Sequence, residues 1–328
     1  MTAIDPLQNF THGGPDAQGA AQFDFSTNAN ACGPCPQVLH AVQAADATRY
    51  PDPSYTLLRA QLAQFHSVEP ARVLLAASAS EFIFRFTAWG AHHGLTGVVL
   101  PQHRYGDYAR AADAVGLRCA QQVNTRSLAW MCDPSSPLGQ PGDNLDTLHT
   151  NCATVVLDRA YEPLRLQSAI RVSTQQLDQV WQLWTPNKAL GMTGVRAAYA
   201  IAPLQAATLR AQVEALCPSW PIGTHGVAML SAWVQPEVQQ WLLDSHATLR
   251  AWKTRQLALC TAMNWECLPS DTNFFCVRPG QALPTKALRA RGVKLRDCTS
   301  FGLPEHWRLS VQPPAAQDAL VLAMKELA

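Results

Sequence analysis

Between residues 73 and 201 the chain alternates short apolar runs with stretches of helical period, and this alternation narrows the possible architectures more than any other feature. The runs are residues 73–76, 97–100, 154–157 and 197–201, and between them residues 80–92 and 108–115 place apolar side chains every three or four positions. Runs without polar alternation are strands buried on both faces, as in a parallel sheet covered by its crossover helices. An α/β fold follows, with a mostly parallel sheet sandwiched by helices. Further on the pattern changes. Residues 236–263 predict one long helix or a broken pair, residues 273–278, 293–297 and 307–312 predict strands, and a closing helix starts at Ala315. The chain therefore divides into an N-terminal arm (1–30) packing on a small domain, a large domain (31–225) and that small α+β C-terminal domain (226–328).

Of the 328 residues 48% are apolar, enough for the cores of two domains. The 25 Lys and Arg balance 24 Asp and Glu, so no general basic field is present to recruit nucleic acid or an acidic membrane, and small-molecule chemistry is expected. No apolar run approaches the roughly 18 residues that a membrane span needs. Residues 1–14 carry Asp5 and lack the basic-then-apolar order of a secretory signal, which predicts a cytoplasmic protein. Ten scattered cysteines then read as free thiols. Cys32-Gly-Pro-Cys35 has the spacing of a redox pair, but it follows the polar Asn28-Ala-Asn30 and precedes Pro36, not the strand-to-helix setting of such pairs. No metal is expected, since a second ligand pair is missing. No G-x-G-x-x-G opens a helix after a strand, which argues against a nicotinamide cofactor.

The segment Trp184-Thr-Pro-Asn-Lys188-Ala-Leu-Gly191-Met-Thr-Gly-Val-Arg196 leaves a strand predicted over residues 180–184, passes a Gly-rich turn and heads for the next strand. Taken alone, Lys188 reads as a solvated loop lysine; held between a strand end and Gly191, it also suits a nucleophilic amine. Arg196, across the turn, can return to the same pocket and neutralise a phosphate. Upstream, Val155-Val-Leu-Asp158-Arg-Ala-Tyr161 sets a carboxylate at the end of a buried parallel strand, the edge where open α/β sheets bind ligands. Asp158 fits a helix cap or turn as well. Its chemical alternative is to keep a pyridine nitrogen protonated so that the ring accepts electrons, with Tyr161 donating to the ring's phenolic oxygen. Ser78 and Glu81 have capping-box spacing. The same helix start offers free N–H groups and a positive dipole end to a phosphate, and the two roles can coexist. Tyr105 is either a core aromatic or a ring stacked on the pyridine.

In order and spacing these residues resemble the class I/II aminotransferases. Residues 184–196 are similar to their S-x-S-K-x-x-G-x-x-G-x-R segment, and Asp158-Arg-Ala-Tyr161 to their D-E-A-Y. Over nearly the whole chain the likeness is to histidinol-phosphate aminotransferases and to the threonine-phosphate decarboxylases of cobalamin synthesis. The second group is suggested by His12-Gly-Gly14, Asp24-Phe-Ser26, Arg49-Tyr-Pro-Asp52 and Leu295-Arg-Asp-Cys298. The resemblance implies the fold type I architecture of pyridoxal-phosphate enzymes, pyridoxal 5'-phosphate as cofactor in the large domain, and Lys188 as the lysine holding it as a Schiff base. It implies Asp158 as the partner of the pyridinium, Tyr161 of the phenolate and Tyr105 as the stacking ring. Ala79, Ser80, Thr185, Asn187 and Arg196 would hold the phosphate. Tyr50 resembles the tyrosine that reaches the cofactor phosphate of the neighbouring subunit, which implies a homodimer with shared active sites. Arg308 resembles the arginine that grips the substrate carboxylate, a task for its planar fork. Arg296 and His12 match positions near the substrate phosphate in the decarboxylase group, an ordinary surface cation and imidazole being the plain alternatives.

The chain departs from the family pattern in several places. N-P-x-N-P-T-G appears as Asp133-Pro-Ser-Ser136-Pro-Leu-Gly139, so Ser136 stands where an asparagine meets the phenolic oxygen, and its hydroxyl reaches that oxygen through a water. Arg159 replaces the glutamate of D-E-A-Y, Asn187 a serine, and Ala76 and Ser78 the glycines of the phosphate turn. The short stretch between Gly116 and Ser136 predicts the loss of a peripheral helix and strand. The expected activity is an aminotransferase acting on a small, phosphorylated amino acid, with freed Lys188 as the general base at Cα. The alternative is a threonine-phosphate decarboxylase, in which the carboxylate leaves instead of the proton; a non-catalytic cofactor-binding protein is a third reading.

Overall fold

Every apolar run in the first two-thirds of the chain becomes a strand of one sheet in the computed structural model, which describes residues 12–120, 124–142, 144–168 and 172–327. Along the chain, β1 (Phe23–Asp24), α1 (Pro36–Gln43) and α2 (Thr56–His66) precede β2 (Val73–Ala76), α3 (Ala79–His92), β3 (Gly97–Val99) and α4 (Gly106–Ala114). Next come β4 (Arg118–Ala120), β5 (Ser127–Cys132), α5 (Leu145–Asn151), β6 (Thr154–Asp158), α6 (Thr174–Leu177), β7 (Trp181–Trp184), β8 (Ala198–Ile201) and α7 (Ala207–Ala215). The remainder holds α8 (Thr224–Trp233), α9 (Pro236–Ala262), β9 (Glu266–Cys267), β10 (Phe274–Arg278) and α10 (Thr285–Ala290). It ends with β11 (Val293–Lys294), β12 (Arg296–Asp297), β13 (Trp307–Ser310) and α11 (Pro314–Leu327).

The large sheet has the order β2-β8-β7-β6-β5-β3-β4, and only β8 runs antiparallel to its neighbours. Side chains alternate between two apolar layers, which is why the strands carry no polar face. Leu128, Trp130 and Val156 pack with Phe82 and Phe86 of α3 and with Tyr108 of α4. Ala129, Met131, Val155 and Leu157 pack with Leu145 and Leu148 of α5. Parallel strands end on a common edge, so the segments leaving β2, β5, β6 and β7, with Ser78, Ser136, Asp158 and Lys188, converge there.

The edge strand β4 is present, contrary to the expected loss of a strand. What is short is its link to β5, residues 121–126, although the two parallel strands lie on either side of β3 and such a crossover usually takes about a dozen residues. Residues 121–123 lie outside the described residues. The stretch expected as one helix or a broken pair forms one unbroken helix, Pro236–Ala262. The strand expected over residues 293–297 is split: Val293 pairs with Phe23 of β1, while Arg296 pairs with Arg308 of β13, so the chain changes sheets at Leu295. The small sheet, β12-β13-β10-β9, is antiparallel throughout. Asp16 ties the N-terminal segment to the same region through Arg289 and Lys294 at 3.1 and 2.8 Å. The first eleven residues of the expected arm lie outside the described residues. Among those described, no helix is long and apolar enough to cross a membrane, and all ten cysteines are free.

At the end of α2, the His66 imidazole packs against Trp184 and shares a 2.8 Å hydrogen bond with the Tyr199 hydroxyl. Burial, with Arg159 nearby, depresses its titration from 6.5 to about 3. As pH falls below 6.5 the unfolded chain binds a proton that the folded chain refuses, so stability present above that pH is lost down to about 3. Urea melts over this range should show His66→Gln flattening the acid limb by up to about 1.4 kcal/mol per pH unit. An unchanged slope would exclude His66 as its source.

Candidate active site

Lys188 lies in the turn that follows β7, and the turn is clamped from outside. Asn30 N–H donates to Lys188 O at 2.8 Å, and Cys35 N–H donates to Leu190 O at 2.9 Å. Gly191 has φ +68°, and a Cβ there would stand 2.9 Å from Gly33 Cα and 3.1 Å from Asn30 O. Cys32-Gly-Pro-Cys35 thus serves as a backbone brace against the lysine turn. Gly191→Ala is expected to lose about 2 kcal/mol or more through left-handed strain and the blocked contact. Thermal melting checks this, and a shift of less than a degree would show that the brace is slack.

Lys188 Nζ sits 5.3 Å from the centroid of the Tyr161 ring. Tyr161 is buried, meets Phe274 edge-on, and its hydroxyl accepts from Asn28 Nδ2 at 3.3 Å. Asp158 closes β6 and is 4% exposed. Its Oδ1 accepts from Ala160 N–H at 2.9 Å and its Oδ2 from the Tyr108 hydroxyl at 2.6 Å. Burial pushes the Asp158 carboxyl up, opposed by those two donors and by the Lys188 ammonium. Sequence reasoning passed over Tyr108 and Asn28. The signal for Tyr108 was its place three residues after Tyr105, on the same face of α4.

At the start of α3, Ser78 accepts from Glu81 N–H at 3.1 Å, and Glu81 accepts in turn from Ala77 N–H at 3.2 Å. The Ser78 half of the expected capping box forms, while Glu81 reaches the N–H of Ala77 rather than that of Ser78, and Ser78, Ala79 and Ser80 still line the cavity. Ser80 bonds the Tyr105 hydroxyl at 3.1 Å. Thr185 and Asn187 are buried, and Thr185 Oγ1 and Asn187 Oδ1 have no partner among the described residues, a state that costs about 1–3 kcal/mol each when left unsatisfied. Arg196 is exposed at the rim of the same recess. A helix N-terminus, an unsatisfied hydroxyl and a guanidinium suit a phosphate. An amine beside them and a buried carboxylate beyond suit an aldehyde and a ring nitrogen, so the donor set fits pyridoxal 5'-phosphate.

Across the cavity, Arg296 and Arg308 stand in register on adjacent strands, an arrangement of like charges that destabilises a bare sheet. Both are buried. Arg308 donates to Ser26 O at 3.2 Å and reaches Ser136 Oγ at 3.5 Å, while its Nε has no partner among the described residues. Arg296 donates to Ser300 Oγ at 2.8 Å. The two guanidiniums flank the Phe301 ring, at 4.6 and 5.4 Å, and neither is paired with a carboxylate among the described residues. Burial, with Arg308 beside it, lowers the Arg296 titration. His12, exposed, sits 6.3 Å from Tyr105 between ring centroids.

One cavity of about 950 Å³ is lined by every predicted site residue except Tyr50. Tyr50 is 78% exposed and stacks on Trp220 at 4.6 Å, away from this cavity. The departure at position 159 also has a structural account. Arg159 points away from the cavity, over the Trp184 ring at 4.5 Å, and pairs with Glu162.

The family model for Aminotransferase class I and II matches residues 125–323. Histidinol-phosphate aminotransferase 1 of Thiobacillus denitrificans is 28% identical, the match covering 89% of this chain and 83% of the relative. Histidinol-phosphate aminotransferase 2 of the same organism is 29% identical, over 92% and 90%. Among solved structures, the histidinol-phosphate aminotransferase of Sinorhizobium meliloti in complex with pyridoxal-5'-phosphate aligns with a TM-score of 0.75 at 19% identity, covering 100% of this chain and 99% of that one. The L-threonine-O-3-phosphate decarboxylase of Porphyromonas gingivalis aligns with a TM-score of 0.74 at 19% identity, over 92% and 96%. At such identities the structural likeness is one of fold.

Proposed function

The chain belongs to the class I and II aminotransferases, and we propose that this member moves the amino group of a small amino acid that carries a phosphate. The observation that carries the proposal is the buried, cavity-facing pair Arg296 and Arg308, which calls for a guest with two anionic groups. Arg308 takes the carboxylate with its planar fork; Arg296, with His12 at the mouth, takes the phosphate.

Pyridoxal 5'-phosphate, when bound, supplies an electron sink for the pair left on the substrate's Cα. Lys188 Nζ holds it covalently and, once free, takes the Cα proton as general base. Asp158 keeps a proton at the ring nitrogen. Tyr161 and Ser136 would meet the phenolic oxygen, Tyr105 would cover the ring face, and Ala79, Ser80, Thr185, Asn187 and Arg196 would hold the phosphate. In this reading residues 31–225 form the cofactor domain and residues 226–328 bring the substrate arginines. Exposed Tyr50 supports a cytoplasmic homodimer in which it completes the site of a second copy. A monomer in light scattering would remove that part.

Threonine phosphate, which carries a carboxylate and a phosphate, and histidinol phosphate, which carries the phosphate without a carboxylate, test the proposal, each with a 2-oxo acid: preference for the first supports the two-anion reading, and equal turnover of both removes the carboxylate task from Arg308. Arg296→Gln is expected to raise KM for a phosphorylated substrate about 10- to 100-fold while leaving an unphosphorylated analogue within about threefold. Equal effects on both would refute the phosphate assignment. The second reading, threonine-phosphate decarboxylation, draws support from His12 lining the same cavity as Arg296. Carbon dioxide release without consumption of the oxo acid would favour it over amino transfer.

A further inference from the structure

Tyr108 has no part in the roles above, yet it donates the shortest hydrogen bond that reaches Asp158. The residue is fully buried, its ring lies parallel to Trp130 at 5.0 Å and 8°, and it meets Tyr105 edge-on at 5.9 Å. No rotation is open to it without breaking both contacts. Its hydroxyl stands 2.6 Å from Asp158 Oδ2, in the range of short charge-assisted O–H···O⁻ bonds. Burial, followed by the nearby Asp158 and Cys132, pushes the phenol far above its ordinary range, so it stays a donor at any working pH.

We propose that Tyr108 is a positioning residue: from behind the cavity its immobile hydroxyl orients Asp158 and keeps it a carboxylate, so that the acid meets the cofactor ring as an anion. The inference rests on the reading of Asp158 as the ring's partner. A wholly buried carboxylate without donors takes up a proton. The groups facing Asp158 are the Tyr108 phenol from α4, the Ala160 N–H from the segment after β6, the Lys188 ammonium from the turn after β7 and the Cys132 thiol of β5. The backbone donor is constant and the Cys132 thiol donates to Pro134 O, which leaves Tyr108, among the described residues, as the side chain whose hydrogen bond to Asp158 a substitution removes. Trp130 and Tyr105 exist, on this view, partly to hold that hydroxyl in place.

The test is titration of apoprotein with pyridoxal phosphate, followed by absorbance between about pH 5 and 9, on wild type, Tyr108→Phe, Asp158→Asn and the double variant. In wild type, binding weakens as pH falls through the Asp158 titration, because the protonated acid no longer pairs with the ring cation. Tyr108→Phe is expected to weaken binding about tenfold at neutral pH and to move the acid-side midpoint up by about one pH unit. In the Asp158→Asn background the same change should add less than about twofold. If Tyr108 only fills space, Tyr108→Phe lowers the melting temperature and leaves the midpoint where it was, and the proposal is overturned. If Asp158→Asn itself leaves affinity and pH dependence untouched, the reading of Asp158 fails first, an outcome separate from failure of Tyr108 alone.

Discussion

Lys188→Ala is expected to lower kcat for amino transfer by at least about 10³-fold, because on the proposed reading one amine both holds the cofactor and carries the Cα proton. The turn does not depend on the side chain: Asn30 and Gly191 bond Lys188 through its carbonyl. The variant should therefore fold and melt within a few degrees of wild type, and the loss reports chemistry. Borohydride reduction of the cofactor-loaded protein, followed by peptide mapping, should label position 188 in wild type. Label on another lysine, or a variant with more than a tenth of wild-type turnover, would exclude Lys188 as the nucleophile. Added small primary amines should return part of the activity, since a soluble base can then take the proton.

Asp158→Asn is expected to cost about 10²–10³-fold in kcat/KM, a loss of the size seen when one preorganised charge is removed from a water-excluded site. Stability should respond differently. The buried carboxyl has a titration raised by desolvation, so removing its charge relieves a cost of burial while one of its two hydrogen bonds is forfeited. Apoprotein melting should stay within about 1 kcal/mol of wild type. Activity and stability thus part company at this position, as at sites kept for function at the expense of comfort in the core. A large drop in apoprotein stability would recast Asp158 as a structural acid bonded by Tyr108 and Ala160.

Residues whose placement follows from neighbours in sequence were legible. Asp158 at a strand end, Lys188 before Gly191 and the Ser78 cap are local features, and unbroken apolar runs located the strands that carry them. Residues whose roles depend on distant partners were not. Tyr108 looks like any apolar-periodic helix residue until β6 brings Asp158 against it. Cys32-Gly-Pro-Cys35 displays a redox spacing, while its use is to let one glycine lie against another across the chain. The split at Leu295 was hidden because both halves read as one extended run; only pairing with β1 on one side and β13 on the other separates them. That same pairing sets Arg296 beside Arg308, a juxtaposition that spacing alone does not contain.

Backbone from early and late in the chain is stitched together around the cavity. Ser310 N–H donates to Phe25 O at 2.9 Å, Arg308 to Ser26 O, and Asn273 to Ala29 O at 3.0 Å, while Asn30 braces the lysine turn. During translation the lysine and its neighbouring acid leave the ribosome well before β13, so the nascent polypeptide carries its reactive amine in an unfinished recess. On the proposed reading, cofactor binding at full strength waits until β13 has bonded the segment that follows β1.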